Sequence, residues 1–172
     1  MLIKGNRVCL RPLKQGDVGA RYLRWMNDPK VQEYTRRRGI RTTLKELQSF
    51  VTETKKSKNL YFAILVGKKH IGNLFLYLGK NKSADLSIMI GARNEQGKGY
   101  ASEAIGAASK FAFDRWGVSS LTAGSANPGF NAVMRKLGWK RTKVKRKGFV
   151  LGARRRDVGY WRMVKKTYAR RK

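Results

Sequence analysis

Two glycines one residue apart, Gly97 and Gly99, stand in the run Gly91-Ala92-Arg93-Asn94-Glu95-Gln96-Gly97-Lys98-Gly99-Tyr100-Ala101. The run joins an alternating apolar segment that ends at Ile90 to an amphipathic one that begins near Tyr100. Glycines at this spacing let successive backbone N–H groups turn to one side with no Cβ in the way. A helix that follows adds its positive end and its unpaired first-turn donors, so the bend suits an anion such as a phosphate. Two phosphate motifs of fixed spelling are absent. The P-loop requires Gly-x-x-x-x-Gly-Lys-Ser/Thr, and the dinucleotide fingerprint requires a third glycine that does not follow here at the right step. Taken alone, the run reads either as a phosphate cradle or as a plain turn that starts a helix.

Few other side chains compete for chemistry. One cysteine, Cys9, and one histidine, His70, exclude an internal disulfide and a multi-cysteine zinc cluster, and no metal is expected. Cys9 reads as a small hydrophobe. His70, beside a hairpin turn, reads as solvent-facing.

The elements that must position the loop follow from periodicity. Residues 7–11 read as a strand, and residues 17–26 as a helix capped by Asp17 and stopped at Asn27-Asp28-Pro29. Beyond the basic loop Arg36-Arg37-Arg38-Gly39, Thr43-Leu44-Lys45-Glu46 spells a capping box, and Leu44, Leu47, Phe50 and Val51 recur at helical spacing. Residues 60–66 and 70–78 form a hairpin, and residues 85–90 a third strand with Leu86, Ile88 and Ile90 on one face and Asp85, Ser87 and Met89 on the other. Ala101, Ile105, Ala108, Phe111, Ala112 and Trp116 mark a long amphipathic helix. A buried strand over 118–123, a short helix over 131–137 and a closing pair of strands over 139–150 and 158–165 complete the order. The sum is an α/β domain with a partly antiparallel sheet and a central strand–loop–helix crossover.

The chain's 172 residues, with no repeat or low-complexity linker, suit a single domain over 1–172. Against 40 Lys and Arg stand 10 Asp and Glu, a net charge of +30. Such a field attracts phosphates and repels cations. A hydrophobic share of 41% excludes a disordered basic tail. No apolar run is long enough to span a membrane and the N-terminus lacks a secretion signal, so a cytoplasmic location is expected.

The loop resembles the pyrophosphate loop of the GNAT superfamily of acetyl-CoA-dependent N-acetyltransferases, Gln/Arg-x-x-Gly-x-Gly/Ala, which Gln96, Gly97, Lys98, Gly99, Tyr100 and Ala101 fit in full. The asparagine that follows in that family, eleven residues before a Gly-Phe pair, is matched by Asn127 and Gly138-Trp139. The likeness is greatest to the RimJ/RimL-type branch, through Arg11-Pro12-Leu13, Arg24-Trp25-Met26-Asn27-Asp28-Pro29, Ile71-Gly72-Asn73 and Gly97-Lys98-Gly99-Tyr100-Ala101-Ser102-Glu103-Ala104. The resemblance implies a single α+β domain with a mixed, mostly antiparallel sheet of six to seven strands, about four helices and a β-loop-α acetyl-CoA crossover. It implies direct attack of an amine on the acetyl-CoA thioester. Residues 96–101 would hold the pyrophosphate, the backbone of Ile88, Met89 and Ile90 the pantetheine between two splayed strands, and Asn127 the thioester end. Tyr22, Trp25 and Asn27 would wall the acceptor site.

An alkyl amine, with a pKa of about 10, must lose a proton before it attacks. Asp85 is the candidate base, though the residue type and setting favour a surface carboxylate paired with a lysine. Asn127 has a turn former before Pro128 as its alternative reading, and Glu103, in the first turn after the loop, reads as structural. Two departures from the family leave the general acid unassigned: Phe130 and Met134 stand where the family often carries hydroxyls.

The basic residues cluster. From Trp139 to Lys172 there are 15 of them against one acid, Asp157, and Arg141, Lys143, Lys145 and Lys147 would share one face of a strand. Three functions are compatible with this charge. The acceptor is a phosphate-bearing amine such as an amino-sugar nucleotide; or it is a protein N-terminus or lysine on a ribosome or other RNA assembly; or the domain binds nucleic acid with little turnover. A generally basic proteome or an engineered surface would also produce such a charge. The chain is expected to be a monomer or homodimer.

Overall fold

The computed structural model describes residues 1–169; the basic residues Arg170, Arg171 and Lys172 lie outside the described residues. One eight-stranded sheet runs in the order β1-β2-β3-β4-β5-β6-β8-β7. Its strands are β1 (Ile3–Lys4), β2 (Val8–Pro12), β3 (Leu60–Val66), β4 (Lys69–Leu78), β5 (Ser83–Ile90), β6 (Ser120–Ser125), β7 (Lys140–Leu151) and β8 (Arg154–Val164). Every neighbouring pair is antiparallel except β5 and β6. The helices are α1 (Ala20–Asn27), α2 (Pro29–Gln32), α3 (Leu44–Thr54), α4 (Tyr100–Asp114), α5 (Pro128–Lys136) and α6 (Lys165–Ala169).

The described residues thus hold eight strands and six α-helices, where six to seven strands and about four helices are expected from the sequence. Each extra element is too short to show a period. β1 spans two residues, and α2 begins where Asp28-Pro29 reads as a stop. There Asp28 Oδ1 accepts the Lys30 N–H at 2.8 Å and Pro29 occupies the first helical turn, so the same dipeptide that ends one helix starts the next. α1 begins at Ala20, because Asp17 closes a 3₁₀ turn (Gln15–Asp17) and forks onto Arg11 at 2.7 and 2.5 Å instead of capping the helix. The capping box at α3 forms as spelled, with Thr43 Oγ1 accepting from the Glu46 N–H at 3.2 Å and Glu46 Oε2 from the Thr43 N–H at 2.7 Å.

Register assigns the two faces of the sheet. Leu10, Ile64, Phe62, Leu74, Leu76 and Leu86 fall on one face and are buried. They share a core with Ala104, Ile105, Ala108 and Ala112 of α4, and Phe62 meets Phe111 edge-on at 6.2 Å. On the other face Tyr61 and Phe75 pack on Phe50 of α3. Helices on both faces hold the central strands rigidly.

The feature that matters for function is where the sheet fails to close. β5 and β6 pair over Ser83↔Ser120, Ala84↔Leu121 and Asp85↔Thr122 only. Beyond Asp85 the two strands part, and β5 continues to Ile90 with β4 alone as a partner. A strand edge without a neighbour presents N–H and C=O groups to whatever enters the gap.

Strand β7 departs from simple alternation. Its register with β8 shifts between Arg141 and Lys143, and again between Lys145 and Phe149. Arg141 therefore stands opposite Trp161 while Lys143 stands opposite Tyr160, so these two cations lie on opposite faces and not on one. Lys147 sits in the second irregularity at φ 51°, its N–H donated to Asp157 at 2.8 Å.

Candidate active site

A cavity of about 460 Å³ opens at the mouth of the β5–β6 gap. One wall is Ile88, Met89 and Ile90; the floor is Gln96, Gly97, Gly99, Tyr100 and Ala101; Ser125 and Asn127 close the far side. The structure therefore brings together nearly all residues singled out for cofactor binding, from three separate segments. Lys98 belongs to the loop but not to the cavity wall, its Nζ held by Glu95 at 2.9 Å.

The loop's shape follows from its residue types. Gly97 and Gly99 adopt φ of 78° and 85°, the left-handed region that glycine enters without strain. Gln96 Nε2 donates to the Ile90 carbonyl at 2.7 Å and pins the bend to the end of β5. On the other side Glu103 accepts the backbone N–H groups of Arg7 and Val8 and the Arg7 Nε, and Arg7 Nη2 reaches the Lys98 carbonyl at 3.2 Å. Burial alone would raise the Glu103 pKa, but these donors outweigh it and hold the carboxyl below its ordinary value. Glu103 thus ties β2 to the start of α4. The N–H groups of Gly97, Lys98, Gly99, Tyr100, Ala101 and Ser102 have no acceptor among the described residues. With the positive end of the 15-residue α4 behind them, they have the arrangement that suits an anion.

Asn127 is both a cap and a cavity residue. Its Oδ1 accepts the Gly129 and Phe130 N–H groups at 2.8 and 3.3 Å at the start of α5, which leaves the side-chain NH₂ for a ligand. Phe130 lines the cavity, and Met134 is fully buried.

Asp85 lies outside the cavity lining, at the closed end of the strand gap. It has no lysine partner among the described residues, contrary to one sequence reading; Thr122 Oγ1 donates to it at 2.8 Å. Part of the side chain reaches solvent, yet desolvation by the flanking sheet raises the carboxyl above its ordinary value, with Thr122 and the charge of Arg36 opposing.

Tyr22, Trp25 and Asn27 do not line the cavity. Tyr22 and Trp25 are buried and close on His70, with ring centroids 6.1 and 5.0 Å away. Burial pushes the Tyr22 phenol up to about 12. Asn27 exchanges two 2.8 Å hydrogen bonds with the backbone of Thr42. His70 is 2% exposed, not solvent-facing as its place beside a turn suggests, because Tyr22 and Trp25 of α1 fold over it.

The wall facing β5 comes from α2 and the turn after it: Lys30, Glu33, Tyr34 and Thr35. Gln32 anchors this wall, its Nε2 lying 3.3 Å from the Trp25 carbonyl and 3.7 Å from Met89 Sδ. None of these residues stands out in the sequence; the signal that could have found them is Asp28-Pro29 read as a helix start. Glu33 and Glu95 are the carboxylates of the cavity wall, and Glu95 is occupied by Lys69 and Lys98. A larger groove of about 580 Å³ between residues 1–4 and α4 contains none of these groups. Among the described residues no cluster of three potential metal ligands occurs, and no helix is long and apolar enough to cross a membrane.

The model of the acetyltransferase (GNAT) domain family matches residues 7–140. Among solved structures, the fold is similar to the Vibrio cholerae spermidine N-acetyltransferase in complex with CoA and spermine, with a TM-score of 0.84 and 21% identity over 95% of this chain and 98% of that one. It is similar to RimL, the ribosomal L7/L12 alpha-N-protein acetyltransferase, in complex with coenzyme A (TM-score 0.84, 17% identity, 97% and 99% of the two chains). It is also similar to Mycobacterium smegmatis RimJ in complex with CoA-disulfide (TM-score 0.78, 18% identity, 95% and 86%). A sequence search of curated proteins finds no match.

Proposed function

The chain belongs to the GNAT acetyltransferases, and on that premise we propose that it moves acetyl from acetyl-CoA directly to a primary amine carried on an anionic molecule. The observation that carries this reading is the coincidence, in one cavity, of the unpaired N–H groups of residues 97–102 with the unpartnered edge of β5. The cradle suits a diphosphate, and the strand edge suits a chain of amides that hydrogen-bonds as a strand would.

Acetyl-CoA supplies an acetyl group already activated as a thioester. The protein's part is to hold it and to move protons. The loop amides fix the pyrophosphate, the backbone of Ile88, Met89 and Ile90 aligns the pantetheine, and Asn127 offers its NH₂ at the thioester end. Asp85, whose raised pKa brings it nearer the working pH but which lies outside the cavity lining, would receive the amine's proton through a water relay. Tyr34, a hydroxyl on the cavity wall, is the donor to the leaving thiolate in place of the hydroxyls that Phe130 and Met134 lack.

The excess of basic residues, part of it in the run after the cavity-lining Thr35, supports an anionic acceptor. Arg36, Arg37, Arg38 and Arg41 follow Thr35 on the α2 side, and Glu33 is the cavity carboxylate with no ion pair among the described residues. The chain's net charge of +30 opposes the approach of a polycation and favours a phosphate-bearing amine, such as an amino-sugar nucleotide. Thiol release from acetyl-CoA across amino-sugar nucleotides, spermidine and basic peptides tests the reading. Release with an anionic acceptor well above that with spermidine is expected. No heat on titrating acetyl-CoA overturns the cofactor site, and equal turnover of spermidine overturns the acceptor class.

A further inference from the structure

We propose that the face of the β7–β8 hairpin that carries Tyr160 is a docking surface for single-stranded RNA. Register places the cations. Lys140 stands opposite Arg162, Lys143 opposite Tyr160, Lys145 opposite Val158, Phe149 opposite Arg156 and Leu151 opposite Arg154. Alternation along β8 puts Arg162, Tyr160, Val158, Arg156 and Arg154 on one face, and their partners follow them. Trp161 and Met163, on the other face, are buried, with Trp161 bonded to Asn131 of α5 at 2.7 Å. The basic face is therefore the more exposed one, covered only where Phe149 meets Tyr34.

Six cations line that face: Lys140, Lys143, Lys145, Arg154, Arg156 and Arg162. None is ion-paired among the described residues. The hairpin's one acid, Asp157, falls on the opposite alternation and is taken by Arg146 and the Lys147 N–H. Like charges at this density destabilise the hairpin unless a polyanion neutralises them. Alternate residues on a strand are about 6.6 Å apart, close to the phosphate spacing of an extended single strand.

An aromatic platform completes the face. Tyr160 is 39% exposed and lies against Gly124, where an added Cβ would meet its ring at 3.0 Å. A ring seated on a backbone and open to solvent offers a stacking surface for a base, with phosphates held by flanking cations. Duplexes keep their bases stacked inside and do not use such a platform. A lipid surface needs an amphipathic helix or apolar anchors in number, whereas the hairpin's large exposed hydrophobics are Val150 and Tyr160. The hairpin also touches the acceptor entrance: Phe149 stacks on Tyr34 at 6.2 Å, and Arg38 Nη2 reaches the Val150 carbonyl at 3.4 Å.

Fluorescence anisotropy of a labelled oligouridylate of about 20 nucleotides, with the full chain, tests the proposal. Neutralising six phosphates on a single strand gives a log–log salt slope of about −4. Reversing three charges (Lys143→Glu, Lys145→Glu and Arg156→Glu together) should cut affinity more than tenfold and bring the slope to about −2. Tyr160→Ala should weaken binding roughly 5- to 100-fold with the slope unchanged. Acetyl-CoA titration of the same variants reports their folding and stands apart from the RNA result. No binding by the full chain, charge-reversed protein that binds as well as the parent, or tighter binding to duplex DNA or anionic vesicles than to the oligouridylate overturns the proposal.

Discussion

The Cα of Gly91 lies against the indole of Trp25 so closely that an added Cβ would come within 2.2 Å of Cδ2. Trp25 thereby sets the direction in which the chain leaves β5 for the loop, and the Gly91 and Ala92 N–H groups both donate to the Ile71 carbonyl to hold it there. Gly91→Ala must displace a buried ring or the strand end. It should cost about 1–3 kcal/mol, seen as a drop of several degrees in thermal midpoint, and acetyl-CoA affinity should fall with it. A midpoint equal to that of the parent would show that the ring is free to move.

Gly99 poses the opposite case. The nearest atom to its added Cβ is Arg7 Nη2 at 3.4 Å, so space is available, but φ is 85°. Gly99→Val should therefore strain the bend by about 1–3 kcal/mol and turn amides away from the anion. We expect the Michaelis constant for acetyl-CoA to rise tenfold or more. An unchanged constant would remove the loop from the cofactor site.

His70 makes stability depend on pH in a window of its own. Burial lowers its pKa, against the opposing effects of Asn73, Asp17 and Gly72. Its Nε2 faces the Gly72 carbonyl and Asn73 Oδ1 at 2.9 and 3.0 Å, and its Nδ1 is buried without a partner. Above about pH 6.5 the ring is neutral in both folded and unfolded chains, and stability is complete. As the pH falls below that value the unfolded chain binds a proton that the folded one refuses, and stability declines until the lower, folded value is passed. Urea midpoints measured from pH 7.5 down to about 5 should fall, and His70→Gln should flatten that decline. Since His70 is the only histidine, a decline that persists in the variant would place its origin elsewhere.

Asp85→Asn separates the base from a bystander. If Asp85 accepts the amine's proton, kcat should fall by about 10²-fold or more with the Michaelis constant for acetyl-CoA unchanged. The acidic limb of the parent's pH–rate profile should lie above the ordinary carboxylate range, because burial raises this group. The same shift makes ionised Asp85 a cost to the fold, one absent below the ordinary value and incurred as pH rises through the raised one. The variant should then be slightly more stable at neutral pH. Full activity in the variant would pass the role to another group.

Local chemistry was readable from the chain; encounters between distant segments were not. The Thr43 capping box, the two glycines at positive φ and the apolar stripe of α4 each depend on residues a few positions apart, and each is found where spacing puts it. The cavity joins Gln96 and Asn127 as the family likeness implies. Its α2 wall is not legible in the sequence because four residues carry no period, and because Asp28-Pro29 ends one helix and begins another. The burial of His70 is hidden for a related reason: a hairpin neighbour is ordinarily exposed, and only the arrival of Tyr22 and Trp25 from α1 buries it. In β7 one extra residue, Thr142, inverts the faces of what precedes it, which no alternation count detects.

Only three register pairs join β5 to β6 as a ladder, and this leaves the sheet with a narrow seam. Acetyl-CoA lodged between the two strands would act as mortar as well as reagent, supplying the hydrogen bonds that the parted strands cannot give each other. Amide exchange along Leu86–Ile90 should consequently slow on binding far more than at the paired edge of β4, and the loaded protein should unfold as one block where the empty one yields first at the joint.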